Sequence, residues 1–214
     1  MATESLKIMA VSLVDGKKFK AFAVFDGERL VVVDVSQIAG VFSSWKAPLI
    51  EEVRQRVIDG YAVLVEESGE AISQYATQYL LDSIMDDGEG KTRLQQALDS
   101  YFEMDSIGSL IIAPECQKHG LKIGAEGGVI DRKNDDKGRP FYAIDWKRFT
   151  GAHRAILLCV VVAAFEPLSE RFLHAMWGKP DAEPEENPWK RMKALFGAQD
   201  IERGKELDRL REGK

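Results

Sequence analysis

Three short segments rich in β-branched and apolar residues, separated by Asp-Gly pairs, constrain the fold of this chain more than any other feature. They are residues 6–14 (LKIMAVSLV), 19–25 (FKAFAVF) and 29–35 (RLVVVDV). Asp15-Gly16 separates the first two segments and Asp26-Gly27 the last two. An Asp-Gly pair between strand-like segments is a strong hairpin signal, because Gly tolerates the positive φ of a tight turn. The sequence therefore predicts a three-stranded antiparallel meander.

The next part of the chain alternates between helical and strand patterns. Apolar residues recur at helical spacing after Pro48, and Gly60 ends that pattern. The predicted elements are a helix at 45–59, a strand at 61–65, helices at 71–84 and 91–102, and a strand at 110–113. Together with the meander, they predict an α/β fold built on a mixed sheet.

Residues 128–145 (GVIDRKNDDKGRPFYAID) predict a second hairpin, because two short apolar patches flank a polar tip. The surrounding segment is basic: residues 117–154 contain nine Lys and Arg and five Asp and Glu, a net charge of +4 in a chain whose net charge is −6. Thr150 is a candidate N-cap for a helix at 150–165. The β-branched run at 160–162 would equally suit a buried strand.

Three prolines and four acids in residues 178–188 predict an exposed linker. We therefore expect one folded domain at 1–177 and an amphipathic helical tail at 189–214. The longest apolar run, residues 155–165, is shorter than the roughly 20 residues of a membrane-spanning helix. The N-terminus also lacks the pattern of a secretory signal, so the sequence predicts a cytoplasmic protein.

Three antiparallel strands, a helix, a fourth strand, a helix and a fifth strand follow the order of the ribonuclease H-like fold, which this chain resembles over about residues 6–165. In that fold, the first and fourth strands lie side by side, and acids at their ends meet. Here those acids would be Asp15 and Glu66, with Glu67 as a rival for Glu66. The resemblance thus implies a sheet of about five strands flanked by helices, with an acidic centre at one edge.

The stretch VLVEESGEAISQY, a strand that ends in an acid before a Gly-containing turn, is similar to the nuclease domain of viral large terminases, the DNA-packaging motors. That family often places a hairpin before its last helix, as residues 128–145 would. The resemblance implies that Asp15 and Glu66 are catalytic metal ligands and that Asp145 is the third acid. The alternatives for the third acid are Asp131, Glu115 and Glu126.

Hydrolysis of a phosphodiester needs an activated water and relief of charge on the phosphate, which two divalent cations about 4 Å apart supply. Carboxylates suit Mg²⁺ or Mn²⁺ as ligands. The resemblance implies a metal-dependent endonuclease that cleaves double-stranded DNA, with the tail contacting a packaging ATPase or a portal protein. The predicted DNA-binding residues are Lys133, Lys137, Arg139, Lys147, Arg148 and Arg154.

Two other hypotheses fit the same residues. One is a noncatalytic ribonuclease H-like module that binds protein or nucleic acid through the hairpin or the tail, and the acidic net charge favours it. The other is a nuclease of the junction-resolvase type. Individual residues also have structural explanations: Asp15 suits the geometry of a turn, Asp145 suits a cap, and the basic hairpin suits a solvated ribbon.

Overall fold

The computed structural model describes residues 5–14, 17–40, 44–67, 72–85, 91–124 and 128–165. The predictions for Asp15, Glu126, the linker at 178–188 and the tail at 189–214 lie outside these residues.

The N-terminal meander is confirmed. Its strands are β1 (Leu6–Ser12), β2 (Phe19–Phe25) and β3 (Leu30–Gln37), and β2 pairs antiparallel with both neighbours. The turn between β2 and β3 is held by the Asp26 carboxylate, which accepts hydrogen bonds from the backbone amides of Glu28 and Arg29. Gly27 adopts a φ of 96°, which a residue with a side chain rarely tolerates.

The sheet has six strands in the order β5-β4-β1-β2-β3-β6. Helix α1 (Lys46–Ile58) leads from the meander to β4 (Tyr61–Glu66), which pairs parallel with β1. The short β5 (Thr77–Gln78) continues the sheet beyond β4. The five strands β3-β2-β1-β4-β5 have the order and directions of a ribonuclease H-like sheet, so the predicted fold class is confirmed.

The helix predicted at 71–84 is wrong. The described residues of this stretch form a 3₁₀ turn at Ser73–Tyr75, then β5, then a further turn. The backbone amide of Tyr79 donates to the carbonyl of Val65, so pairing with β4 overrides the helical spacing of apolar residues. The strand predicted at 110–113 exists as β6 (Leu110–Ile112), but it pairs with β3 at the opposite edge of the sheet.

Helices cover both faces of the sheet. Helix α3 (Gly151–Ala164) is buried over almost its whole length against β1, β2 and β3, which confirms the helical alternative for this run. Helix α2 (Arg93–Ser106) packs beside it. On the other face, α1 joins an apolar cluster of Met9, Val11, Trp45, Leu49, Val53, Val63, Val65 and Ile72. In the described part of the chain, no helix combines the length and apolar character needed to cross a bilayer.

The predicted basic hairpin is present as a separate two-stranded sheet. Its strands, β7 (Ile130–Asn134) and β8 (Pro140–Ile144), pair antiparallel directly before α3.

Candidate functional site: the Glu66 centre and the basic hairpin

Strand register places Glu66 at the C-terminal end of β4, where an acid was expected. Glu66 is the last residue of β4 and lies opposite Ser12, the last residue of β1. The backbone amide of Leu13 donates to the Glu66 carbonyl over 2.9 Å, so the two strands leave the sheet together. Asp15 follows two residues after Leu13, outside the described residues.

The Glu66 carboxylate is buried and accepts four hydrogen bonds from protein groups. Its Oε1 accepts from Arg154 Nη2 at 2.6 Å and from the backbone amide of Leu81 at 3.1 Å. Its Oε2 accepts from Arg154 Nε at 2.8 Å and from the Ser12 hydroxyl at 3.1 Å. Glu66 is 1% exposed and Arg154 is 2% exposed. We call Ser12, Glu66, Asp82 and Arg154 the Glu66 centre.

The start of α3 positions Arg154 for this contact. The Thr150 hydroxyl and the His153 ring form a reciprocal cap at the helix N-terminus, and Thr150 donates its backbone N–H to His153 Nδ1 at 2.9 Å. Gly151 lets the helix approach the sheet, because a Cβ at this position would lie 2.9 Å from the carbonyl oxygen of Lys17. Arg154 therefore enters the interior in the first turn of the helix.

The charge of Arg154 is stabilised by two carboxylates. Burial by itself lowers the pKa of the guanidinium, but hydrogen bonds and charge attraction from Glu66, and then from Asp82, raise the pKa above its ordinary value. Asp82 Oδ2 accepts from Arg154 Nη2 at 2.7 Å, and the Asp82 side chain is 56% exposed. The guanidinium thus links a buried carboxylate to one at the surface.

The described residues of the Glu66 centre do not fit a pair of divalent cations. The centre contains one hydroxyl, a buried carboxylate, a largely exposed carboxylate and a guanidinium cation bound to both carboxylates. The guanidinium would repel a metal ion. Among the residues that the structure describes, no three His, Cys, Asp or Glu side chains are grouped to bind a metal. Every fully buried side-chain nitrogen or oxygen in the same residues has a hydrogen-bond partner.

The other acids predicted as ligands have different surroundings. Glu67 is buried, and its Oε2 accepts from the backbone amide of Ile72 at 3.0 Å, so it connects the end of β4 to the residue before the 3₁₀ turn at Ser73–Tyr75. Asp145 follows β8 and accepts from the backbone amide of Lys147 at 3.0 Å. Asp131 is exposed in β7, and Glu115 is exposed in a 3₁₀ helix after β6.

The basic hairpin is attached to the body of the domain through α2. The Gln95 side chain donates to the carbonyl of Tyr142 at 2.9 Å and accepts from its backbone amide at 3.1 Å, as a neighbouring strand would. The Tyr142 ring also packs on Phe102 with their centroids 4.9 Å apart. Because β8 is fixed on one side, the hairpin presents its other side in a defined orientation.

Five of the six predicted DNA-binding residues lie on the exposed surface of the hairpin and of the turn that follows it: Lys133, Lys137, Arg139, Lys147 and Arg148. Arg139 pairs with Asp135 at 2.8 Å, and Arg148 lies 3.6 Å from Asp145. Arg154, the sixth, is directed into the Glu66 centre. Two aromatic side chains in this region are also exposed, Phe141 by 40% and Trp146 by 61%.

The sequence alone does not indicate that Ser12 and Asp82 belong to the Glu66 centre. A signal was present in α3, whose sequence GAHRAILLCVVVAA contains one permanently charged residue, Arg154, among apolar residues. A buried arginine needs an acidic partner, which makes Glu66 a candidate. No comparable signal distinguishes Asp82.

Comparison with known proteins identifies structural neighbours. No family model matches the chain, and no curated protein matches it in sequence. The crystal structure of the large terminase nuclease from thermophilic phage G20c superposes with a TM-score of 0.48 at 9% identity, covering 76% of this chain and 84% of that chain. The nuclease domain of the Thermus phage P74-26 large terminase superposes with a TM-score of 0.45 at 10% identity, covering 78% of this chain and 86% of that one. The chain has structural similarity to phage large terminase nucleases.

A further structure of the G20c nuclease contains bound magnesium, with a TM-score of 0.47 and 10% identity over 73% of this chain and 80% of that chain.

Proposed function

We propose that this chain uses a nuclease-type fold to bind nucleic acid noncatalytically through the basic hairpin. The observation that carries the proposal is the exposed surface of β7, β8 and the following turn, where six basic side chains lie in the same short segment as two exposed aromatic rings. Basic groups with interspersed aromatic rings suit a phosphate backbone together with stacked bases.

The cations that contact phosphate would be those that are not already paired. Arg132, Lys133, Lys137 and Lys147 have no ion pair with any described residue. Each is exposed, so it can exchange hydrated counterions for a phosphate without losing a protein partner. Binding through such contacts is strongly salt-dependent and largely independent of base sequence.

The aromatic rings add a second kind of contact. Phe141 lies directly opposite Lys133 in the hairpin register, so one ring and one cation share a face. Trp146 lies in the turn after β8, with its ring roughly perpendicular to that of Phe149 and most of its surface exposed. Rings in this arrangement stack with unpaired bases, whereas double-stranded DNA would contact only the cations.

Fluorescence anisotropy with labelled single-stranded and double-stranded DNA tests the proposal. The triple variant Lys133→Gln, Lys137→Gln, Lys147→Gln should weaken binding to both. It should also reduce the slope of log K against log salt by about one for each lysine that binds a phosphate in the wild type. The matched control is Lys7→Gln, Lys46→Gln, Arg54→Gln, which removes the same charge from exposed positions away from the hairpin.

The control variant should bind DNA as the wild type does. Equal weakening of DNA binding by the two triple variants would show that binding depends on the net charge of the protein and not on the hairpin. No DNA binding by the wild type at low salt would remove the proposal.

A metal-dependent endonuclease is the second candidate function. It is favoured by the position of Glu66 at the end of β4, beside the strand that leads to Asp15. In this candidate, Asp15, Glu66 or Glu67, and Asp145 would bind Mg²⁺ or Mn²⁺ and cleave double-stranded DNA as the nuclease part of a packaging terminase. A packaging ATPase and a portal protein would then be its partners, through residues 189–214.

Conversion of supercoiled plasmid in Mg²⁺ or Mn²⁺ tests this second candidate. It requires cleavage by the wild type that is lost in Asp15→Asn and in Glu66→Gln. Absence of metal-dependent cleavage, or cleavage that both variants retain, would eliminate it while leaving the nucleic-acid-binding proposal intact.

A further inference from the structure

We infer that the Arg154 guanidinium is a permanent internal cation that takes the place of metal at the Glu66 centre. In this inference, the centre fastens β1, β4 and the turn at 80–82 to α3, and it is closed to divalent cations and to phosphodiesters. The inference does not depend on nucleic-acid binding by the hairpin, because it concerns different residues and a different measurement.

The hydrogen bonds of Glu66 leave no ligand position for a metal. A carboxylate has about four lone-pair sites, two on each oxygen. Oε1 accepts from Arg154 and from the Leu81 amide, and Oε2 accepts from Arg154 and from the Ser12 hydroxyl. A metal ion would have to displace at least one buried donor, and the Leu81 amide or the Ser12 hydroxyl would then lose the acceptor that Glu66 provides.

The two buried charges of the Glu66 centre also balance without a metal. The buried pair of Glu66 and Arg154 is neutral, and both guanidinium bonds to the carboxylate are short, at 2.6 and 2.8 Å. This is the bidentate geometry in which the planar guanidinium of arginine binds a carboxylate, and lysine cannot form it. A divalent cation beside Glu66 would add two positive charges to a region that already contains a buried positive charge.

Burial excludes the substrate as well as the metal. Ser12 is fully buried, and Glu66 and Arg154 are 1% and 2% exposed, so a DNA phosphate cannot reach the carboxylate in this conformation. Only Asp82, at the outer end of the network, contacts solvent. Glu66 and Arg154 therefore form an interior ion pair, and Asp82 connects this pair to the surface.

The inference can be tested by calorimetric titration of the wild type with Mn²⁺ and by thermal unfolding with and without Mn²⁺. We expect no heat of binding assignable to Glu66, and the same Tm in Mn²⁺ and in EDTA. A rise in Tm in Mn²⁺ that Glu66→Gln abolishes would overturn the inference. This arm needs only the wild-type protein and one conservative variant.

A second test measures thermal unfolding after the internal cation has been removed. Arg154→Met should lower Tm by about 10 °C, because it leaves Glu66 buried without a counter-ion. Adding Glu66→Gln to Arg154→Met should recover part of that decrease, since the buried charge is then gone. The matched control is Arg54→Met, which breaks the exposed pair with Glu51 at 3.7 Å and should leave Tm nearly unchanged.

The two arms are judged separately from DNA binding. An Arg154→Met protein as stable as the wild type, or a double variant less stable than Arg154→Met alone, would contradict the role assigned to the guanidinium. Loss of DNA binding in the hairpin variants would not affect either result.

Discussion

The Glu66 centre and the basic hairpin contain the same kinds of side chain and use them in opposite ways. In the centre, one arginine satisfies a buried carboxylate and no described cation is left to contact a ligand. In the hairpin, several cations are exposed and only Arg139 and Arg148 have acidic partners among the described residues. Burial therefore separates the charged groups that stabilise the fold from those that are exposed and available to a ligand.

This difference matters because the fold alone directs attention to the strand ends, whereas the proposed recognition surface is the hairpin. In a ribonuclease H-like sheet, the ends of the first and fourth strands are where acids are expected to meet, and this chain has a serine and a glutamate there. Function has to be argued from the side chains of a site and not from the fold that holds them. Here the side chains direct attention to the hairpin.

The largest effect should come from removing the buried negative charge. Glu66→Gln leaves Arg154 without its main partner, so the free energy of unfolding should fall by about 3–5 kcal/mol. Lys133→Gln, the corresponding removal of one charge in the hairpin, should change it by less than about 0.5 kcal/mol. Urea denaturation of both variants checks this comparison. Equal decreases would show that the two regions do not differ as described.

The second-largest effect on stability should come from lowering the pH, which acts on the buried His153. Burial, followed by the nearby charge of His119, lowers the pKa of His153 from 6.5 to about 4. The unfolded chain then binds a proton at a higher pH than the folded chain does, so the free energy of unfolding decreases as pH falls from about 6.5 to about 4, by up to about 3 kcal/mol.

His153→Gln keeps an acceptor for the Thr150 amide and has no titrating ring. Denaturation curves measured between pH 7 and pH 4 should therefore be flatter for this variant than for the wild type. A variant with the same pH dependence as the wild type would contradict the assignment to His153.

A smaller effect is expected from removing one exposed ring of the hairpin. Phe141→Ala should weaken binding of single-stranded DNA by about 1–3 kcal/mol, because one stacked base no longer has its platform. Binding of double-stranded DNA should change less. Ile58→Ala, at another exposed apolar position, is the control for anisotropy measurements. Equal weakening for single- and double-stranded DNA would argue against stacking.

The smallest effect should come from the surface arm of the Glu66 centre. Asp82→Asn removes an exposed partner of Arg154 while Glu66 still holds the guanidinium, so the free energy of unfolding should fall by only about 0–1 kcal/mol. Urea denaturation beside Glu66→Gln tests the distinction between the two carboxylates. A decrease in the free energy of unfolding as large as that of Glu66→Gln would show that Asp82 contributes as much to stability as the buried Glu66.

The strands and most helices could be predicted because their signals are local. The turn at Asp26 and Gly27 needs only its own backbone geometry, and the capped helix after Thr150 needs only its first turn and its apolar run. The helix at 71–84 was predicted incorrectly because apolar spacing cannot reveal that Tyr79 pairs with Val65 of β4. Long-range pairing is invisible to a local pattern.

The position of Glu66 could be predicted from the sequence, but its pairing with Arg154 could not. The sequence shows an apolar strand that ends in Glu66, and in the structure Glu66 is the last residue of β4, beside β1. Its partner Arg154 is 88 residues away in the chain, and the sequence allowed it to be interpreted as a DNA contact. Only the packing of α3 on the sheet reveals that the guanidinium faces inward.

Hydrogen–deuterium exchange with and without DNA, in the presence of Mg²⁺, compares the two regions in one sample. We expect slower exchange on DNA binding in peptides that cover β7, β8 and the turn up to Arg148. We expect unchanged exchange at the ends of β1 and β4 and in the first turn of α3. Protection at Ser12, Glu66 and Arg154 without protection of the hairpin would contradict this expectation.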